Sequence, residues 1–310
     1  MGKNKSNQPT KWYVAALLAI AFVFVLFINS DCDSTKIPMP ETGLQHISPE
    51  VPDSMLFCGE SVPLEFFDVY ESLERELLVN TYYHSQTIVL IKKANRYFPI
   101  IEPILKKHGI PDDFKYLAVA ESGLANVVSP AKAVGFWQLL EGTAKDYGLE
   151  VNAEVDERYH LEKATHAACS FLNDSYKKYN DWTLTAASYN VGRRGVERQI
   201  ERQKESDYYN LLFNEETARY VYRIMALKLV IENPKRYFFY IDEDEMYEPI
   251  AHKHVIVDSP VASWADFAKE HNTNYKILKY LNPWLRDKQL SNKTNKTYTV
   301  LVPKKNARLR

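Results

Sequence analysis

The stretch AVAESGLANVVSPAKAVGFWQLLEGTAKDYGL, residues 118–149, decides how this sequence is interpreted. Glu121 follows an apolar run at 116–120, whose pattern predicts a helix that runs toward Gly123. A carboxyl group among apolar neighbours loses solvent, and desolvation raises its pKa. A raised carboxyl pKa is what a general acid needs near neutral pH. Glu121 is therefore the candidate catalytic residue; the alternative is an ordinary glutamate at a helix end.

Apolar residues spaced three and four apart predict helices through most of residues 65–240. Pro99 is expected to end one helix and Gly109 the next. Only 10 glycines occur in 310 residues, which argues against a sandwich, a barrel or a glycine-rich nucleotide fold. The fold class is therefore predicted to be mainly α. The predicted helices begin after Pro63 and then cover 86–97, 101–107, 111–123, 161–179, 182–188, 196–202 and 217–231.

The N-terminal region predicts export from the cytoplasm. Residues 1–11 carry three lysines and no acid, and residues 12–28 are an unbroken apolar run. This pattern predicts a cytoplasmic tail at 1–11 and a membrane anchor or signal segment at 12–28, with the rest of the chain outside the cytoplasm. Residues 29–62 are polar and rich in proline, which predicts a linker.

Charge and cysteine content exclude several classes of protein. The 39 basic and 40 acidic residues leave a net charge of -1, so no nucleic-acid partner is predicted. Cys32, Cys58 and Cys169 lie far apart, which excludes a disulfide framework and leaves an isolated Cys58–Cys169 bridge open. No His/Cys/Asp cluster has ligand spacing, so neither a metal nor another cofactor is predicted.

The last part of the chain has a different pattern. Residues 254–257 (HVIV) and 298–303 (YTVLVP) predict two short strands, with two helical segments between them. The order strand, helix, helix, strand predicts a small βααβ module.

Three motifs occur in order along the helical region. The first contains Glu121-Ser122, Ser129, GFWQ at 135–138 and Thr143-Ala144; the second is SYNVG at 188–192, and the third is ETARYVYR at 216–223. Together they resemble the lytic transglycosylase family, whose catalytic domain is similar to goose-type lysozyme. The resemblance implies a lysozyme-like helical catalytic domain of the SLT type at 63–245. The C-terminal part resembles a LysM module at 252–304, although its first turn, Asp258-Ser259-Pro260, departs from the usual form.

The resemblance also implies a reaction. Enzymes of this family cleave the β-1,4 bond between N-acetylmuramic acid and N-acetylglucosamine in peptidoglycan, and they form a 1,6-anhydro product without water. Glu121 would act as both acid and base. Ser129, Gln138, Tyr189 and Asn190 would bind substrate. Tyr220 and Arg223 are left open between the cleft and helix packing, with packing preferred for Arg223.

Two rival functions follow from the same residues. Ordinary glycosidases use two carboxylates, and Asp146, Asp156 and Glu157 are the rival second acids, with a helix-cap role preferred for Asp156. A hydrolysing muramidase is therefore one alternative, and a non-catalytic peptidoglycan-binding wall anchor is another. The expected partners are peptidoglycan glycan strands, and the membrane through the N-terminal segment. The expected location is the cell envelope, either periplasmic and membrane-anchored or secreted by an N-terminal signal.

Overall fold

The computed structural model describes residues 47–309, and this part of the chain is mainly helical. The predicted membrane segment at 12–28 lies outside the described residues. Within 47–309, no helix is both long and apolar enough to cross a membrane.

The helices of the described residues are α1 (Phe67–Tyr82), α2 (His84–Lys107), α3 (Lys115–Ser122), α4 (Glu141–Asp146), α5 (Leu161–Tyr179), α6 (Trp182–Val191), α7 (Arg193–Gln203), α8 (Glu215–Glu232), α9 (Trp264–Glu270) and α10 (Tyr275–Leu281).

The predicted linker at 29–62 extends too far toward the C-terminus. Strands β1 (Leu56–Phe57) and β2 (Glu60–Ser61) form an antiparallel hairpin, and Phe57 is fully buried in the main hydrophobic core. The Cys58 N–H donates to Asp113 at 2.7 Å. The linker prediction is therefore wrong for residues 48–62. Their few apolar side chains follow neither a helical nor a strand period, so the sequence pattern does not reveal their burial.

Helix α2 is continuous where the sequence predicted two helices with an end at Pro99. Pro99 and Pro103 both lie inside it. The two prolines are four residues apart and exposed, so the carbonyl groups that lose a helical partner can reach water. The apolar stripe on the opposite side continues past both of them. Its buried members include Leu90, Ile91, Ala94, Phe98, Ile101 and Leu105.

Helix α3 is short and places Glu121 in its last turn. Its first five residues, 115–119, are all buried. The helix ends at Gly123, which has a left-handed φ of 58° and donates its N–H to the Val119 carbonyl at 2.8 Å. This conformation suits glycine because it has no Cβ. The predicted helix end at Gly123 is confirmed.

The C-terminal module has the predicted βααβ order. Strand β3 (His252–Val257) pairs antiparallel with β4 (Tyr298–Pro303), and α9 and α10 lie between them in sequence. Ser263 and Asn274 cap the two helices through their side-chain oxygens. Strand β3 begins two residues earlier than predicted.

The module packs directly against the helical domain. Val134, Val155 and Tyr159 of the helical domain share one buried cluster with Trp284 and Leu285 and the other core residues of the module. Main-chain hydrogen bonds cross the same contact: the Asp156 N–H donates to the Trp284 carbonyl at 2.9 Å, and the Arg286 N–H donates to Glu154 at 2.8 Å. The two parts are therefore joined by packing and by backbone pairing.

Candidate active site

Glu121 lies in the last turn of α3, and its side chain contacts helix α8. The Tyr220 hydroxyl donates a hydrogen bond to Glu121 Oε1. Tyr220 is only 3% exposed, which leaves its hydroxyl few other partners. The sequence leaves Tyr220 open between the cleft and helix packing, and in the structure its hydroxyl bonds the candidate acid.

The surroundings of Glu121 raise the pKa of its carboxyl group to about 7. Burial is the largest cause, because protein atoms replace the water that would stabilise the charged form. The hydrogen bond from Tyr220 and the positive charge of Arg223 lower the pKa, while the negative charge of Glu216 raises it. The carboxyl group can therefore hold a proton near neutral pH, and donors and positive charge remain to stabilise the carboxylate once that proton leaves.

A buried acid on α1 forms ion pairs with two arginines of α8. Glu76 is 1% exposed, and its Oε1 accepts from Arg219 Nε at 2.6 Å. Arg223 Nε lies 3.6 Å from the other oxygen of Glu76. Arg223 therefore pairs with Glu76, and its positive charge also acts on Glu121. The preference for simple packing at Arg223 did not foresee this electrostatic contact.

Tyr189 lies at the site in a different role from Tyr220. Its hydroxyl donates to the Trp137 carbonyl at 2.7 Å. The negative charge of Glu121 helps to raise the pKa of Tyr189, second to burial, so the two side chains are electrostatic neighbours. The phenol that contacts the carboxyl group is thus that of Tyr220, and Tyr189 ties α6 to the loop after α3.

Asn190 is held by the start of α8. Its Nδ2 donates to Glu216 Oε1 at 3.3 Å, and its Oδ1 accepts from Thr217 Oγ1 at 2.8 Å. These contacts join the second and third sequence motifs. They place Asn190 beside Glu216, whose charge also acts on Glu121.

Ser129 and Gln138 both lie in the GFWQ loop, defined here as residues 123–140. Ser129 Oγ accepts from the Ala133 N–H at 3.0 Å. Gln138 Nε2 donates to the carbonyls of Gly135 at 2.8 Å and Val127 at 3.1 Å. These bonds shape the loop itself. Substrate binding by the two residues stays a prediction.

The three acids that the sequence offers as a second catalytic carboxylate have surroundings different from those of Glu121. Asp156 pairs with Arg158 and accepts the Arg158 N–H as a cap, as the sequence favoured. Glu157 accepts the Glu150 N–H at 2.8 Å and pairs with Lys163. Asp146 is exposed on α4. None of the three appears among the charges that act on Glu121.

The described residues 47–309 contain neither a disulfide nor a cluster of metal ligands. Cys58 and Cys169 are both free thiols, so the bridge between them that the sequence left open is not formed. Within residues 47–309, no group of three or more His, Cys, Asp or Glu side chains could hold a metal ion.

One feature of the sequence indicates the ion pair between Glu76 and the arginines of α8, which was not predicted. Glu76 falls within the apolar stripe of α1, between Leu73 and Leu77, which are both fully buried. An acid in such a stripe indicates a buried ion pair, since an unpaired buried charge is costly. Which arginines would pair with it could not be predicted from that pattern.

The fold and the site define a helical domain in which the desolvated carboxyl group of Glu121 lies where α3 meets α8. Residues 98–212 match the family model described as Transglycosylase SLT domain. Residues 253–306 match the model described as Soluble lytic transglycosylase C-terminal LysM-like domain. The chain therefore contains an SLT domain followed by a LysM-like domain, and the predicted class, a mainly α, lysozyme-like fold with a small βααβ module, is confirmed.

The chain is also similar to individual proteins. The chain is 29% identical over 264 residues to membrane-bound lytic murein transglycosylase D of Escherichia coli strain K12, and equally to that of strain CFT073. The alignment covers 82% of this chain and 56% of the relative, so the chain spans about half the length of these proteins. An X-ray structure of an inactive mutant of lytic transglycosylase Slt from Pseudomonas aeruginosa matches with 17% identity and a TM-score of 0.38, covering 49% of this chain and 26% of that one.

Proposed function

We propose that this chain is a peptidoglycan lytic transglycosylase with Glu121 as its single acid and base. The observation that carries the proposal is the desolvated carboxyl group of Glu121, with Tyr220 bonded to it, inside a domain that matches the SLT family. The substrate bond is the β-1,4 linkage from N-acetylmuramic acid to N-acetylglucosamine. Ser129, Gln138, Tyr189 and Asn190 are proposed to contact the glycan strand.

The proton balance needs only one carboxyl group. Glu121 first donates its proton to the glycosidic oxygen, and the bond from that oxygen to the muramyl anomeric carbon breaks. The muramyl C6 hydroxyl oxygen then bonds to the anomeric carbon, and its proton passes to the Glu121 carboxylate. The hydrogen bond from Tyr220 and the charge of Arg223 stabilise that carboxylate between the two steps.

A hydrolytic muramidase is the second candidate, and one observation favours it. Glu216 is exposed, and its charge is close enough to raise the pKa of Glu121. A second carboxylate beside the acid is what a hydrolytic glycosidase needs to activate water or to form a glycosyl intermediate. Against this role, Glu216 accepts a hydrogen bond from Asn190.

The mass of the products separates the candidates. Sacculi digested with the purified protein are expected to release muropeptides with 1,6-anhydro ends, each lighter by one water than a hydrolysis product. Glu216→Gln is expected to leave this product unchanged. Water-added products that disappear in Glu216→Gln would support the muramidase, and an absence of any released product would support a wall anchor.

We expect Tyr220→Phe to shift the pH dependence of cleavage toward higher pH. The lost hydrogen bond favours the charged form of Glu121, so its removal raises the pKa of that carboxyl group further. Since the acid must be protonated to act, the fall in rate on the alkaline side should occur at higher pH than in the unaltered protein. Rates measured across the pH range check this.

Tyr222→Phe is the matched control for this measurement. Tyr222 lies on the same helix and is buried, but its ring contacts Tyr208 and Tyr209. It should leave the profile unchanged. An unchanged profile in Tyr220→Phe would contradict the assignment of Glu121 as the titrating acid.

The cell envelope is the proposed location. The apolar run at 12–28 supports a membrane anchor or signal segment, and the E. coli relative is named as membrane-bound.

We also propose that the catalytic domain ends near residue 245 and that 252–304 is the module. We further propose that the catalytic domain begins near residue 48 and not at residue 63, because Phe57 of the hairpin packs into the main core.

A further inference from the structure

A buried ion pair lies next to the GFWQ loop and has no part in the proposed proton transfer. Asp156 and Arg158 are 6% and 8% exposed. Arg158 Nη2 lies 2.8 Å from Asp156 Oδ2, and Arg158 Nε lies 3.0 Å from Oδ1. A planar, two-point pair of this kind holds the guanidinium in one orientation.

Arg158 contacts the GFWQ loop at three places. Its Nη1 donates to the carbonyls of Lys132 at 3.2 Å and Leu139 at 3.4 Å. Its own carbonyl oxygen packs against Gly135, where an added Cβ would lie only 2.1 Å away. Gly135 also has a φ of 82°, so no other residue fits there without strain. Arg158 therefore fixes the part of the loop that carries Gln138.

The C-terminal module holds the segment that carries this pair. The Asp156 N–H donates to the Trp284 carbonyl, and the Arg286 N–H donates to the Glu154 carbonyl. Ser291 donates through both its N–H and its hydroxyl to Glu154 Oε2, each at 2.9 Å. The segment at 154–158 is thus bonded to the module on one side and to the GFWQ loop on the other.

We propose that the C-terminal module and the Asp156–Arg158 pair form one brace that holds the GFWQ loop in its substrate-binding position. Arg158 is then a positioning residue, and the module is a structural part of the active site as well as an appended domain. The effect on substrate rests on the proposed function. The effect of the brace on the GFWQ loop can be measured without any enzymatic activity.

Hydrogen exchange on the full chain tests the brace in Arg158→Lys. Lysine keeps the charge but lacks the planar fork, so it cannot bond Asp156 at two points and the loop carbonyls together. The amides of Val134, Gly135 and Leu139, which are bonded within the loop, should exchange at least about tenfold faster. The amides of α5 should be unchanged. Unchanged exchange in the loop would overturn the proposal.

A second variant tests the contribution of the module. Glu154→Ala removes the acceptor of both Ser291 bonds and leaves Arg158 intact. It should speed exchange of the same loop amides by a smaller factor, about threefold. Lys269→Ala is the control, because this side chain is in the module and 80% exposed. Equal exchange in Glu154→Ala and Lys269→Ala would overturn the part of the proposal that involves the module.

Kinetic measurements then distinguish a positioning role of Arg158 from a general disruption of the structure. Glu121 and Tyr220 lie on helices that Arg158 does not bond, so Arg158→Lys should raise KM about tenfold with kcat nearly unchanged. The pH profile should also be unchanged. A fall in kcat with constant KM would contradict a positioning role. If the unaltered protein cleaves no glycan, the proposed function fails, while the exchange result still decides the brace.

Discussion

Glu121→Gln is expected to abolish cleavage of sacculi while the protein stays folded. The amide keeps the shape of the side chain and can still accept from Tyr220, but it cannot donate and then recover a proton. General acid–base catalysis contributes about 100- to 10,000-fold, and here one residue carries both steps. The measurement is the release of muropeptides by the purified variant. Glu141→Gln, the same change on the exposed surface of α4, should retain full activity.

The same variant should show the free-energy cost of desolvating this carboxyl group. The pKa of Glu121 rises from its ordinary value of 4.5 to about 7 in the folded state. Between these values the unfolded chain loses its proton while the folded chain keeps it, so stability falls as pH rises. Glu121→Gln removes this dependence, and its stability relative to the unaltered protein should increase from pH 4.5 to pH 7. Urea unfolding at both pH values measures the difference. A constant difference would contradict the raised pKa.

Phe57→Ala is expected to destabilise the protein strongly. Phe57 is fully buried in the main core, although the sequence predicted a linker at this position. Truncation of a buried phenylalanine to alanine costs about 3–5 kcal/mol. Its neighbour Leu56 lies on the same strand but is 58% exposed, and Leu56→Ala should change the free energy of unfolding by no more than about 0.5 kcal/mol. Equal effects of the two changes would contradict the packed hairpin.

Two deletions extend this test to the whole segment. Removal of residues 1–62 takes away Phe57 and the other core residues of the segment, and also Glu60, which accepts the Trp182 N–H at 2.8 Å. It should therefore lower the unfolding temperature or prevent folding. Removal of residues 1–46 takes away none of the contacts described here. A 1–62 deletion as stable as the 1–46 deletion would show that the hairpin contributes nothing to the core.

Local patterns predicted much of the helical framework. Helix α5 spans the residues that the sequence predicted, because its ends are set by neighbours in the chain. Asn180 ends it in a left-handed conformation, and Asp181 caps the next helix through its side chain. The break predicted at Pro99 was wrong because the cost of a proline depends on whether the freed carbonyl can reach solvent. That exposure depends on which face of α2 packs against the core.

The candidate acid could also be found from its neighbours in the sequence. An apolar run before Glu121 and a glycine after it predict a desolvated carboxyl group at a helix end, and the structure has that arrangement. The partner of the acid could not be found in this way. Tyr189 is half-buried and Tyr220 is buried, both lie in recognisable motifs, and neither motif shows which hydroxyl points at Glu121.

The sequence by itself determined most of the helical framework, the end of α3 at Gly123, the βααβ order and the position of the candidate acid. Each depends on interactions within a few residues along the chain. Only the tertiary structure decided that Tyr220 bonds Glu121 and that Glu76 pairs with Arg223. It also decided that the segment 154–158 bonds the C-terminal module on one side and, through Arg158, the GFWQ loop on the other. These contacts join residues far apart in sequence. Their geometry is set by how whole helices pack, because a hydrogen bond that forms or fails within an ångström depends on every side chain between the two backbones.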